Sequence, residues 1–166
     1  MMIDQDRISK NKLDIISVSD QMEGLVKQAE AVFLADSRNS QALKYLLIEA
    51  VEAMVDTCQH ILAKTKGIAC EGYVDCLVKA GQEGLISLSL TNKLRRLANL
   101  RNSLIHRYWI IDEAQLYHQT AAHKADLREF VREIDNYLVS LKAQRHNLDP
   151  RCSILDPRSS ILDTGH

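Results

Sequence analysis

The chain has 166 residues and balances 22 acidic against 21 basic side chains, a formal charge of −1 with histidines neutral. That balance excludes a general nucleic-acid coat protein, so any binding of RNA or nucleotide must come from a local patch. Apolar residues make up 46% of the chain, enough for one domain with a core, and its two prolines, Pro150 and Pro157, both lie near the C-terminus. Long proline-free stretches rich in Leu, Ala, Glu, Lys and Arg predict an all-helical protein.

The first twelve residues, MMIDQDRISKNK, lack the apolar core of a signal peptide. No apolar run approaches membrane-spanning length, so no membrane association is expected. Cys58, Cys70, Cys76 and Cys152 fit no zinc-binding spacing. They are expected to be reduced thiols in a cytoplasmic protein.

Residues 7–35 read as a first helix with Ile8, Ile15, Met22, Leu25, Ala29, Val32 and Phe33 on its apolar face, weakened in the middle by Gly24. Residues 36–40, DSRNS, form a turn of capping types. The strongest helical pattern spans 40–65, where Leu47, Val51, Met54, Cys58 and Ile61 repeat at steps of four and three. Lys64, Lys66 and Gly67 then give a stop signal. On the opposite face Glu52, Asp56 and His60 stand at successive i, i+4 steps. They read first as a solvated polar face; metal ligation is an alternative, and a third reading has Glu52 or Asp56 orient an arginine of a later helix. Residues 71–83 form a short helix with Tyr73, Val74, Leu77 and Val78 inward, broken by Gly81 and Gly84. A helix over 90–108 follows, and Asp112 caps a last one running to about residue 142. Leu116, Leu127, Phe130, Ile134, Tyr137, Leu138 and Leu141 are its apolar positions. The pattern gives about five helices in one domain, residues 1–146. The remainder, 147–166, holds a tandem duplication, DPRCSILD running into DPRSSILD, and is expected to be disordered.

The window from 93 to 112, KLRRLANLRNSLIHRYWIID, concentrates the chemistry. No acid occurs between Glu83 and Asp112, while Lys93, Arg95, Arg96, Arg101 and Arg107 all fall there with His106. A local positive field of this kind suits a phosphate-bearing ligand. Leu90, Leu94, Leu97, Leu104 and Ile111 keep one apolar stripe, and Arg101 and Tyr108 fall on it. A long cation on a seam that should be packed is what a purely structural helix avoids. His106 lies on a polar stripe with Arg95, Asn99 and Asn102. On one straight helix Arg101 and His106 point roughly 140° apart and sit about 7.5 Å apart along the axis. Either the helix ends near His106 and the chain bends, or a second copy of the helix completes the site, as a twofold dimer allows. Structural readings stand beside these: His106 as a cation at a helix C-terminus, Arg101 as a salt-bridge partner, Tyr108 as a core aromatic.

Arg101, Asn102, His106 and Tyr108 at this spacing resemble the signature of the HEPN superfamily in its HepT branch. The acid-bearing helix LLIEAVEAMVDTCQHIL and the Tyr108–Asp112 link resemble the same branch, and the likeness covers roughly residues 7–140. Ala98-Asn99-Leu100 departs from a more usual glycine-then-aromatic pattern before the arginine. The resemblance implies a compact antiparallel helical bundle that forms a homodimer through the motif helices. It implies a metal-independent RNase toxin, needing no cofactor, whose partner is a minimal nucleotidyltransferase antitoxin that transfers AMP onto Tyr108.

The residues suit that chemistry. Histidine takes or gives a proton near neutral pH, as attack by a ribose 2′-hydroxyl requires. A guanidinium holds a phosphate through two oxygens and offsets charge in the transition state. Arg101 and His106 are therefore the catalytic candidates, with Asn102, Glu52 and Asp56 supporting them. Lys93, Arg95, Arg96 and Arg107 are candidates for binding RNA. The competing expectation is a non-catalytic subunit that holds nucleotide or substrate for a nucleotidyltransferase.

Overall fold

The computed structural model describes residues 2–147. The expected repetitive tail and Cys152 lie outside the described residues, as does the fate of the 147–166 boundary. Among the described residues every regular element is helical: α1 (Gln5–Val26), α2 (Glu30–Ala35), α3 (Ser37–Lys66), α4 (Tyr73–Gln82), α5 (Leu88–His106), α6 (Glu113–His123) and α7 (Asp126–Asn147), with one 3₁₀ turn, Tyr108–Ile110, after α5.

α3 is the spine. Its 30 residues bury Leu43, Leu47, Val51, Met54, Cys58 and Ile61 on one side, the four-three repeat seen in the sequence. Asp36 caps its start by accepting from the Arg38 N–H. Gly67, at φ 67°, ends it in the left-handed conformation, and the Ile68 N–H returns to the Leu62 carbonyl at 3.3 Å. α1 packs along α3, α4 and α5 pack on each other and on α3, and α7 closes the bundle against α1 and α5. Phe33 and Phe130 are fully buried within the core these helices share.

Two expected helices are each broken in two. The first ends at Val26, where Ala29 turns extended before α2. The carbonyls freed there are met from another helix: the Tyr117 hydroxyl of α6 donates to the Gln28 carbonyl at 2.6 Å, with Val26 O at 3.3 Å, and its ring packs 5.1 Å from that of Phe33. The last expected helix breaks at Lys124 and Ala125. Just past the break Asp126, 5% exposed, binds His123 Nδ1 at 2.8 Å and stands at the positive end of α7. Gly81 also departs from expectation. It lies inside α4 rather than ending it, and a side chain there would collide with Thr91 of α5. It is a point of close helix approach.

Cys58, Cys70 and Cys76 are free thiols. Burial pushes the Cys58 and Cys76 thiols well above their ordinary range, so neither is a ready nucleophile. No described helix is long and apolar enough to cross a membrane.

Candidate active site

α5 starts with the Ser87 hydroxyl accepting from the Leu90 N–H and ends at His106, where the Arg107 N–H closes the last turn on the Ser103 carbonyl at 2.8 Å. Arg107 then leaves helical geometry at φ −140°, ψ 38°. The helix stops at His106 and the backbone bends only after it, so Arg101 and His106 both stay within α5 and the bend does not by itself bring them together. Tyr108 opens the 3₁₀ turn and does not continue the α5 stripe, contrary to the alignment expected from one straight helix. His106 is exposed on the last helical residue.

Arg101 sits on the inner side of α5, as its place on the apolar stripe implies, with its side chain 13% exposed. Its Nη2 donates to Glu52 Oε1 at 2.5 Å and to the Tyr73 hydroxyl at 2.9 Å. Tyr73 in turn donates to the same Glu52 oxygen at 2.7 Å, and its ring lies 4.0 Å from the guanidinium carbon. This stacked cation contributes about 0.5–2 kcal/mol. The bond to Glu52 raises the Tyr73 pKa, holding the phenol neutral. The rest of the guanidinium is loosely committed: Nη1 reaches Asn102 Oδ1 only at 3.4 Å, and Nε is buried without a partner. Glu52 is thus the acid that reaches the motif arginine, one of the readings open from the sequence. Tyr73, read there only as an inward aromatic, is the site residue that sequence reasoning missed. Nothing local marks it, because it meets Arg101 only when α4 folds onto α5.

Asp56 does not join this group. Arg7 of α1 donates to both its oxygens through Nε and Nη2, and Asn11 Nδ2 donates to it at 2.7 Å. The Arg7 hydrogen bond holds the Asp56 carboxyl below its usual range. His60 is buried and accepts the Asp4 N–H at Nε2, 2.9 Å away. The i, i+4 row is therefore neither a simple solvated face nor a converging ligand set: its members turn to Arg101, to Arg7 and to the α1 N-terminus. Among the described residues no group of three His, Cys, Asp or Glu is placed to hold a metal ion.

The positive window is narrower than its sequence suggests. Lys93 is paired with Asp126 at 3.4 Å and Glu129 at 3.5 Å, and so is committed within the bundle. Arg95, Arg96 and Arg107 are exposed and form no ion pair among the described residues. A cavity of about 320 Å³ beside Tyr73 is lined by Glu52, Asp56 and Glu71, the first two already paired with Arg101 and Arg7.

A family model described as ribonuclease HepT-like matches residues 15–134. The chain belongs to the HepT-like family. This HepT-like chain is 25% identical over 123 residues to the tRNA nuclease HepT of Aphanizomenon flos-aquae, covering 72% of this chain and 84% of the relative. Its bundle is that of the tri-AMPylated Shewanella oneidensis HEPN toxin solved in complex with MNT antitoxin, with TM-score 0.74 at 20% identity over 80% of this chain and 99% of the other. It also superposes on the cytosolic protein YutE of Bacillus subtilis, of unknown function, with TM-score 0.68 at 19% identity over 89% of this chain and 95% of that one. These structural likenesses establish the HEPN fold.

Proposed function

We propose that this chain is the ribonuclease toxin of a toxin–antitoxin pair, cutting RNA without a metal ion through Arg101 and His106. The observation that carries the reading is the intact pair on α5 of a HepT-like chain, with His106 exposed at the helix end and Arg101 braced on its inner side. The nuclease name of the Aphanizomenon relative supports it. In this reading a His106 imidazole takes the 2′-hydroxyl proton, and the 2′ oxygen attacks phosphorus. The 5′ oxygen leaves with a proton, giving a cyclic phosphate and a free 5′-hydroxyl. Arg101, held from behind by Glu52 and Tyr73, offers Nη1 to the phosphate, and Asn102 beside it orients the approach. Asp56 acts only at a distance, by fixing α1 against α3 through Arg7.

Two proton transfers need two groups on opposite sides of the phosphorus. A homodimer supplies a second His106, and the exposed apolar residues around it, Ile105, Trp109 and Ile110, suit an interface between copies. The partner is a minimal nucleotidyltransferase antitoxin that adds AMP to Tyr108, a reading supported by the AMPylated toxin of the Shewanella complex. A phosphodiester on Tyr108, two residues past His106, adds negative charge and bulk beside Arg107 and repels the RNA backbone.

A second reading, a non-catalytic nucleotide-holding subunit, is favoured by one observation: Arg101 is mostly buried and already paired. Expression separates the two. The toxin reading expects growth arrest by the wild-type chain alone, relief by a co-expressed antitoxin, and a gain of AMP mass on the wild type but not on Tyr108→Phe. Equal AMP addition to both proteins would remove Tyr108 as the acceptor. Unimpaired growth would favour the holding subunit.

A further inference from the structure

Arg96, Asn99 and Ser103 stand at steps of three and four and share one face of α5. Across from them Gln119 and His123 share one face of α6. With Leu97 and Leu100 these side chains line a cavity of about 390 Å³. The side chains of Arg96, Asn99, Ser103 and Gln119 make no hydrogen bond or ion pair within the described residues, although they meet in one concave space. His123 is fixed: Nδ1 binds Asp126, and Lys93 holds Asp126 in turn at 3.4 Å. This leaves Nε2 unbonded and balances the carboxylate charge, so the cavity does not repel an anion. The volume lies within the range of small-ligand sites, and it combines an apolar floor with a few polar groups.

The cavity lies on the His106 side of α5. Asn99 and His106 are seven residues apart on one stripe, and Ser103 is less than a helical turn from His106. Arg101 lies about 140° around α5 from His106, so in the proposed site the arginine that holds the same phosphate comes from the other copy of the chain. A strand that reaches His106 along this stripe meets the cavity through Asn99 and Ser103.

We infer that this α5–α6 cavity is a nucleotide subsite, which takes the nucleotide next to the scissile pair and reads its base. The inference rests on the ribonuclease reading. Gln119 and Asn99 each set a donor beside an acceptor, the pattern that matches the edge of an unpaired base. Leu97 and Leu100 offer an apolar surface to the base face, and the unpaired Arg96 takes the adjoining phosphate. The committed partners of Lys93 exclude it from that contact.

The test uses the full chain and short 2′-O-methyl homopolymers of the four bases, which cannot be cut. Wild type should rank the four differently. Gln119→Leu, which keeps the volume and removes the amide, should weaken the preferred polymer about tenfold and flatten the ranking. Arg96→Ala should weaken all four alike. Wild-type ranking in Gln119→Leu would overturn the subsite alone. So would unchanged RNA binding with loss of antitoxin binding, which would reassign the cavity to the protein partner. A wild type that binds none of the four would overturn the ribonuclease reading and the subsite together.

Discussion

At Arg101 the guanidinium gives up most of its solvent contact, and Glu52 and Tyr73 take one end of it. The apolar stripe had already placed this arginine on the packed side of its helix, and burial of a cation requires an acid. Which acid was open between Glu52 and Asp56, because both lie on one helical face; only the packing of α1, which brings Arg7 to Asp56, decides it. A planar ion stacked 4.0 Å from a ring is not replaced by an ammonium. Arg101→Lys should therefore lower the RNA-cleavage rate about a hundredfold, the cost of losing one transition-state donor. Glu52→Ala should lower kcat as well, by releasing the arginine from its brace. Wild-type rates in the lysine variant would take Arg101 out of the mechanism.

The helices legible in the sequence were those whose periodicity is their own. α3 and α5 bury the residues that the four-three pattern selects. The breaks at 27–29 and 124–125 were not legible, because the groups that settle them come from elsewhere in space: the Tyr117 hydroxyl for the first, and the His123–Asp126–Lys93 chain for the second. Gly81 was misread for the same reason, since its small size answers to Thr91 on the next helix. Gly81→Ala should push α4 from α5 and destabilise the fold by about 1–3 kcal/mol. Thr91→Ala in the same chain should recover part of that loss, and thermal unfolding measures both. Additive losses would contradict the close approach. His60 joins α1 to α3 in its neutral form. Burial lowers its pKa, Arg7 and Lys64 lower it further, and Asp4 and Asp56 oppose them. A histidine with a depressed folded pKa takes up its proton more readily when unfolded, so stability should fall as pH drops below about 6.5, the unfolded value. His60→Gln should show a shallower fall, and equal slopes would assign the dependence to other groups.

For the whole molecule, a bundle of this topology was legible from the all-helical composition and the motif resemblance. The exposed apolar cluster at the end of α5 was visible only in three dimensions. Sedimentation should find a dimer at micromolar concentration, and Ile110→Asp should weaken it; a monomeric wild type would exclude a site shared between copies. The central claim is metal-free RNA cleavage by α5, and one assay tests it most directly. Purified protein is mixed with RNA in excess chelator, beside His106→Ala, and the product ends are identified. The account predicts cyclic-phosphate and 5′-hydroxyl ends from wild type and no cleavage by the variant. Cleavage abolished by the chelator, or retained in His106→Ala, would contradict it.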